Sequence, residues 1–197
     1  MPAPVDKEAV RLEIIKACQR CAEDKPLPEV SLRDVAGELG VTHASLLYYF
    51  NSKDDLLMAC GHWAGGEFCK MIRYWFDTHD LADYPSGDDY LNAFIEFTLE
   101  DKSNETLPRG VVMNCALGEY SAGLKKVIEQ ESDNIRAALK YGLEKAFDRS
   151  ISEDTAGAML VIFYGVYFCA FNNALVPGQT KAVVSCIRQL LDMDARR

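Results

Sequence analysis

The sequence predicts an all-α protein of about nine helices, with an N-terminal three-helix head followed by a larger helical body. Within residues 31–57, Ser31, Thr42 and Ser52 each supply a side-chain oxygen suited to bonding the free amides at the start of a helix. Apolar residues recur at helical spacing through the rest of the chain, and no stretch alternates as a half-buried strand would. We place the boundary after residue 52, giving a head of residues 1–52 and a body of residues 53–197.

The head contains a pattern typical of two short helices joined by a tight turn. A first helix is predicted over about residues 6–23, with Val10, Ile14, Ala17, Cys18 and Cys21 on its buried face. Ser31 starts the second helix, and Asp34 approximates a capping box with a shorter acid. Gly40 ends that helix with the left-handed turn that glycine tolerates best, and the third helix follows at Thr42. This arrangement describes a helix-turn-helix.

The same stretch resembles the DNA-binding head of the TetR family of bacterial repressors. Over about residues 7–57 the matches to the family pattern are Ser31, Arg33, Asp34, Val35, Ala36, Gly40, Val41, Thr42, Leu46, Phe50, Ser52, Lys53, Leu56 and Leu57. The chain departs from the pattern at Leu47, where most members have tyrosine, at Tyr49, where many have histidine, and at Ala44, which replaces a common glycine. The resemblance implies a homodimeric transcriptional regulator, most simply a repressor, that binds a palindromic operator and is released by a small molecule.

The resemblance also implies which residues meet double-stranded DNA. We expect Thr42 to cap the recognition helix and touch a phosphate, and Lys53 to hold the DNA backbone. His43, Ser45, Tyr48 and Tyr49 are expected to face the major groove. The full predicted DNA-binding set is Ser31, Arg33, Thr42, His43, Ser45, Leu47, Tyr48, Tyr49 and Lys53.

Net charge argues against a broad basic surface. The chain carries a formal charge of −9, and residues 1–57 alone hold seven Lys/Arg against ten Asp/Glu. A protein that bound DNA mainly through its overall field would not have this composition. We therefore expect specific, salt-sensitive binding that depends on a few well-placed contacts, with weak nonspecific affinity.

The body reads as helices throughout. We predict helices over about residues 53–77, 88–102, 109–122, 124–147 and 153–175, and a terminal helix after Pro177-Gly178. The longest apolar run, residues 156–171, is shorter than the roughly 20 residues needed to span a bilayer. The opening residues do not resemble a signal peptide. We expect a cytoplasmic protein that does not insert into membranes.

The helix predicted over residues 153–175 is apolar on nearly every side, which indicates burial on every side. We expect one face to line the body's core and another to pack, with the amphipathic terminal helix, against a second subunit in a two-fold dimer. The alternative is a central helix of a monomer. The predicted interface comprises Phe163, Tyr167, Phe171, Val184, Ile187, Leu190 and Leu191.

Aromatic and sulfur-containing side chains are frequent in the middle of the chain. The family resemblance implies a small-molecule pocket here, and such side chains would suit an apolar or aromatic ligand. The alternative is that they only fill the core. The predicted ligand-binding set is Met71, Trp75, Phe94, Phe97, Met113, Tyr120, Tyr141, Tyr164 and Phe168. Gly65-Gly66 lies within the helix that is expected to join head and body, and marks either a soft point or a close helix contact.

Other functional classes find less support. The seven cysteines include a C-x-x-C at Cys18 and Cys21, but no second pair follows at zinc-finger spacing. Cys60, His62 and Cys69 form a looser group, so a thiol-based redox or metal-responsive regulator of the same fold stays an alternative. With three histidines and no nucleophile, metalloprotease or phosphate-loop motif, we predict no enzyme, no metal and no cofactor. A helical protein-interaction module is a further alternative.

Overall fold

A computed structural model of the chain describes residues 6–22, 25–100, 120–171, 174–176 and 178–196. These residues form helices and turns and contain no strand, which confirms the all-α prediction. Within these described ranges, two short 3-10 turns, Leu27–Glu29 and Leu81–Asp83, accompany eight α-helices. The α-helices are α1 Lys7–Cys21, α2 Leu32–Leu39, α3 His43–Leu47, α4 Lys53–Thr78, α5 Gly87–Glu100, α6 Ala122–Phe147, α7 Glu153–Phe171 and α8 Gln179–Asp194.

The helix caps predicted at Ser31 and Gly40 are present, and Asp6 adds a cap that was not predicted. The Asp6 carboxylate accepts from the amides of Glu8 and Ala9 and starts α1. Ser31 and Asp34 form a reciprocal capping box at the start of α2. Gly40, with φ of +66°, ends α2 in the left-handed conformation that a side chain would strain.

Contacts within the chain divide it into two compact units. The described part of unit one comprises residues 6–22, 25–65 and 120–131, and that of unit two comprises residues 66–100, 132–171, 174–176 and 178–196. The division falls between Gly65 and Gly66, later than the boundary proposed from sequence. Both α4 and α6 contribute residues to both units. The joining helix of the sequence prediction is therefore one of two such helices.

The later division has a physical cause in the core of unit one. Leu46 and Phe50 from the recognition segment pack in one cluster with apolar residues of α1 and α2. The first half of α4 joins the same cluster through Leu56, Leu57, Cys60 and Ala64. Hydrophobic burial therefore binds this half-helix to the head.

Unit two has its own helical core. The side chains of Phe68, Ile72 and Phe76 from α4 are buried, as are Leu91 of α5 and Leu143 of α6. Helices α7 and α8 add Val166, Val184, Ile187 and Leu191.

Close helix packing in unit two depends on Gly142 of α6. A Cβ at that position would lie 2.0 Å from the Phe76 ring, so only glycine permits the approach.

The predicted body helices differ from the observed ones mainly at their ends. The helices expected over residues 88–102, 124–147 and 153–175 correspond to α5, α6 and α7. Most of the helix expected over residues 109–122 lies outside the described residues. Among the residues described, no helix combines the length and apolar character that crossing a membrane requires.

Candidate functional site

The recognition helix α3 is short and is held by one buried side chain. Leu46 is 1% exposed and belongs to the core of unit one, whereas His43, Ala44, Ser45 and Leu47 are exposed. At its start, the Thr42 hydroxyl oxygen accepts from the Ser45 amide at 3.2 Å and lies 2.8 Å from the Ser45 hydroxyl. Thr42 thus caps the helix as predicted, and α3 presents a continuous exposed face.

Two basic side chains of α1 contact the segment that follows α3. The Arg11 guanidinium donates to the Tyr49 carbonyl oxygen and lies 4.2 Å from the centre of the Phe50 ring. One turn earlier, the Lys7 ammonium lies 4.9 Å from the centre of the Tyr48 ring. Hydrogen bonding to Tyr48 raises the pKa of Lys7 above its usual value.

Sequence reasoning missed these two contacts. Lys7 and Arg11 are four residues apart and so share a face of α1, but Arg11 and Tyr49 are separated by 38 positions. Helical periodicity predicts that Lys7 and Arg11 share a face, but it does not predict that this face contacts Tyr48 and Tyr49.

Tyr48 and Tyr49 occupy different environments although both were expected to face the major groove. Tyr48 is 66% exposed, whereas Tyr49 is half-buried against the core of unit one. Their rings meet edge to face, with centroids 5.0 Å apart. Tyr48 is therefore the tyrosine available to a partner, and Tyr49 has a larger share in packing.

The remaining predicted DNA-binding residues have varied partners. The Lys53 ammonium donates to the Pro28 carbonyl oxygen at 2.5 Å, which ties the start of α4 to the turn before α2. The Ser31 hydroxyl belongs to the capping box of α2. Arg33 is exposed, two residues after Ser31. Ser31 and Lys53 thus already have structural roles within unit one.

The Asp34 carboxylate, in the first turn of α2, makes several polar contacts with the residues that precede the helix. Its carboxylate accepts from the Lys25 ammonium at 2.8 Å and from the Ser31 amide at 2.7 Å. These contacts, that with Lys25 foremost, hold the pKa of Asp34 well below its usual range. The carboxylate therefore stays ionised and keeps the capping box intact at neutral pH.

Unit two contains a cluster of aromatic rings around Trp75. The His79 ring stacks on the indole at 3.6 Å, and the centroids of Phe97 and Phe94 lie 5.0 and 6.1 Å from it. Tyr90 completes the cluster, and its burial raises the pKa of its hydroxyl to about 12. Among the described residues, the buried Nε1–H of Trp75 has no acceptor at full hydrogen-bond geometry, and it interacts only weakly with the Tyr90 hydroxyl.

A small apolar cavity lies beside this cluster. It has a volume of about 20 Å³, and Phe94, Phe163 and Leu143 are among the side chains that line it. A cavity needs about 10–15 Å³ of such volume to hold one water molecule, so this space has room for about one small group as it stands. A drug-sized ligand would require these side chains to move apart.

The predicted ligand-binding residues do not form one group. Trp75, Phe94 and Phe97 lie together in the aromatic cluster, and Met71 is buried one turn before Trp75 on α4. Tyr120 packs against the core of unit one.

Three other predicted ligand residues lie at or near the surface of unit two, and one lies outside the described residues. The Tyr141 hydroxyl donates to Asp77 at 2.8 Å. The Tyr164 hydroxyl lies 3.0 Å from that of Ser132, and Phe168 is 43% exposed. Met113 is the predicted residue that is not described.

Most of the predicted dimer-interface side chains are buried within unit two. The buried members of that set are Phe163, Tyr167, Val184, Ile187 and Leu191. Leu190 is half-buried, and the side chain of Phe171 lies outside the description. Because helix α7 is apolar all round, its sequence could not indicate which side faced outward.

The structure identifies the outward side of α7. Val161 is 71% exposed and Phe168 is 43% exposed, and Gly165 lies between them on the same face. An added Cβ on Gly165 would meet no atom within 4 Å. This face is the apolar surface that α7 leaves open in unit two.

In the described part of the chain, the positions of the cysteines and histidines do not support a redox or metal site. The described cysteines form no disulfide with one another, and no group of three or more potential ligands could hold a metal ion there. Burial, followed by the neighbouring Cys18 thiol, raises the pKa of Cys21. A raised pKa lowers the thiolate fraction and with it the reactivity of the C-x-x-C pair. His62 instead pairs with Glu131 at 2.7 Å.

One sequence family matches the head of the chain. Residues 14–60 match the sequence family described as "Bacterial regulatory proteins, tetR family". The matched span contains the capping box, the recognition helix and the start of α4. No curated protein matches the chain.

Solved structures with the same fold cover nearly the whole chain. A tetR-family transcriptional regulator from Streptomyces coelicolor has a TM-score of 0.71 at 14% identity, covering 96% of this chain and 83% of that one. A TetR transcription regulator from Haloarcula marismortui has a TM-score of 0.66 at 18% identity, covering 94% and 98%. The multidrug binding protein EbrR, complexed with malachite green, has a TM-score of 0.64 at 21% identity, covering 91% and 96%. At these identities the likeness shows the fold alone.

Proposed function

We propose that this chain, whose residues 14–60 match the tetR family of bacterial regulatory proteins, is a ligand-responsive repressor that binds a palindromic operator as a homodimer. In this role the chain binds DNA and catalyses no reaction. One observation supports the proposal most directly. The recognition helix is anchored by the buried side chain of Leu46, and its opposite face, which bears Leu47, is exposed. A short helix held in this way can enter a major groove without loss of core packing.

Selection of operators from random DNA tests the DNA-binding part directly. The protein should enrich a sequence with two-fold symmetry, since paired recognition helices read paired half-sites. Tyr48→Ala should change the preferred sequence, because Tyr48 is the exposed tyrosine beside α3. Failure to enrich any sequence from the random pool would contradict DNA binding by this head.

We place the effector site at the aromatic cluster around Trp75. A planar apolar or aromatic ligand could stack among Trp75, Phe94 and Phe97, provided the adjoining side chains separate to admit it. The Nε1–H of Trp75 lacks a well-aligned acceptor, which favours a ligand that carries one, because a buried donor is costly to leave without a good hydrogen bond. EbrR, which shares the fold, binds malachite green, so this dye belongs in the first set of compounds tested.

A thermal-shift screen followed by tryptophan fluorescence tests the effector site. The chain has two tryptophans, so Trp63→Phe leaves Trp75 as the sole indole reporter. A true effector should raise the melting temperature and change the Trp75 emission in this variant. It should also release the selected operator. A stabilising compound that leaves the Trp75 emission unchanged would place the effector site elsewhere.

The homodimer is assigned to the outward face of α7, with Val161, Gly165 and Phe168 at its centre. Exposed large apolar side chains on one helical face favour a protein contact, and the small Gly165 would let a second helix approach closely. Leu190 of α8 is half-buried and stays in the proposed interface. Sedimentation at micromolar concentration should give a dimer, and a monomer would contradict both the interface and the palindromic operator.

A further inference from the structure

The recognition segment lacks the side chains that usually pair with base edges. Residues 41–50 contain no Arg, Lys, Asn, Gln, Asp or Glu. Arg and Lys commonly read guanine, Asn and Gln read adenine, and Asp and Glu accept from cytosine. Polar readout from this segment is limited to His43, the tyrosine hydroxyls and the hydroxyls of Thr42 and Ser45, which bond each other at 2.8 Å.

Apolar side chains are exposed where these polar ones are missing. Val41, Leu47 and Tyr48 are 43%, 43% and 66% exposed, and they are the large exposed apolar residues within the described part of unit one. Ala44 lies one turn before Leu47, so the two share a face of α3.

The two adjacent leucines of α3 have opposite roles. Leu46 is 1% exposed and holds the helix on the core, whereas Leu47 points away from that core. Leu47 therefore has a large exposed surface that is available for contact with a partner.

We infer that Leu47 is a specificity residue that packs against the C5-methyl group of a thymine in the major groove. The inference rests on the DNA-binding function proposed above and names what the head recognises. Thymine is the base whose major-groove edge presents an apolar group, and aliphatic side chains pack against it. Ala44 leaves room beside Leu47 for the methyl group, because its own side chain is a single methyl.

Replacing thymine by deoxyuridine tests the contact, because this change removes only the methyl group. In the selected operator, each thymine is replaced in turn, symmetrically in both half-sites, and the affinity is measured. We expect one position at which the unmutated protein loses about fourfold in affinity per half-site, the effect of one buried methyl group. The other thymines should tolerate the change.

The matching protein variants identify the residue that makes the contact. Leu47→Ala should bind the thymine operator more weakly and should no longer distinguish thymine from uracil at that position. Leu47→Met, which keeps an apolar side chain of similar size, should retain the distinction. Both variants should stay folded and lose less melting temperature than Leu46→Ala does, since Leu47 is 43% exposed and Leu46 is 1% exposed.

The outcomes separate this inference from the function on which it rests. If no operator is selected, the DNA-binding proposal itself fails. If an operator is bound but tolerates uracil at every position, thymine-methyl readout is overturned while DNA binding stands. A uracil penalty of equal size in the unmutated protein and in Leu47→Ala would assign the methyl contact to another residue and would also overturn the inference.

Discussion

The ammonium of Lys53, at the start of α4, donates a hydrogen bond to the backbone carbonyl oxygen of Pro28, 2.5 Å away. The bond ties α4 to the turn that precedes α2. Lys53 is also the residue expected from sequence to hold the DNA backbone. An ammonium has three donors, so bonding Pro28 leaves donors for a phosphate.

Lys53→Met keeps most of the apolar stem and removes the ammonium. We expect affinity to fall by a similar factor for all operator sequences, because a phosphate contact carries no base information. The slope of log affinity against log salt should flatten by about 0.9, the value for one phosphate contact. Lys53→Arg is the control that keeps the charge. An unchanged salt slope in Lys53→Met would show that Lys53 serves the head through Pro28 alone.

Arg11 should contribute more to the stability of the head than a typical surface arginine. It donates to the Tyr49 carbonyl and covers the Phe50 ring, so its loss removes a charge-assisted hydrogen bond and a cation–π contact. We expect Arg11→Met to lower the free energy of unfolding by about 2 kcal/mol. Urea denaturation followed by circular dichroism measures the change.

Arg20 on the same helix supplies the matched control for that experiment. Its guanidinium pairs with Glu38 at 2.7 Å on the surface, and such exposed pairs contribute about 0–1 kcal/mol. Arg20→Met should therefore change stability less than Arg11→Met does. Equal losses in the two variants would contradict an anchoring role for Arg11.

Local signals predicted the head better than they predicted the body. Ser31, Asp34 and Gly40 lie within a ten-residue stretch, so their spacing was enough to predict a capped helix and its turn. The contact between Arg11 and Tyr49 joins positions far apart in the chain, and no local pattern indicates it.

The body shows a second limit of sequence patterns. Helix α7 carries apolar residues on all sides, so the sequence could not distinguish buried Phe163 from exposed Val161. Aromatic composition likewise grouped Trp75 with Tyr120, although Trp75 lies in unit two and Tyr120 packs in the core of unit one. Tertiary packing determines which of these side chains are buried, and the periodicity of the sequence does not predict that packing.

This difference between Phe163 and Val161 yields a paired test of the proposed dimer. Val161→Asp places a charge on the exposed face of α7, so it should convert the dimer to a folded monomer. Phe163→Asp places an unpaired charge in the core of unit two, so it should unfold the protein instead. Sedimentation and circular dichroism distinguish the two results. Tyr74→Asp, at an exposed position of α4, is the control and should stay dimeric.

Gly65 and Gly66 of α4 differ in their surroundings. A Cβ on Gly65 would lie 2.5 Å from the Glu131 carboxylate and 2.6 Å from its Cβ, so Gly65 is needed for close packing in unit one. A Cβ on Gly66 would meet no atom within 4 Å. Replacing both glycines by alanine would introduce a steric clash at Gly65 as well as a change in helix stiffness, and the two effects could not be separated. Gly66→Ala changes the stiffness without a clash.

We expect Gly66→Ala to weaken the coupling between effector and operator. Alanine is about 1 kcal/mol more favourable than glycine in a helix interior, so the substitution should raise stability and make bending of α4 more costly. If effector binding acts through such bending, operator affinity should change less on addition of the compound found in the thermal-shift screen, while affinity for that compound stays the same.

Gly37→Ala in α2, where an added Cβ also meets nothing within 4 Å, is the control for helix stabilisation. Operator affinity with and without the compound measures the coupling in each variant. Unaltered coupling in Gly66→Ala would reject a hinge at this glycine and would leave α6, which also has residues in both units, as the helix to test next.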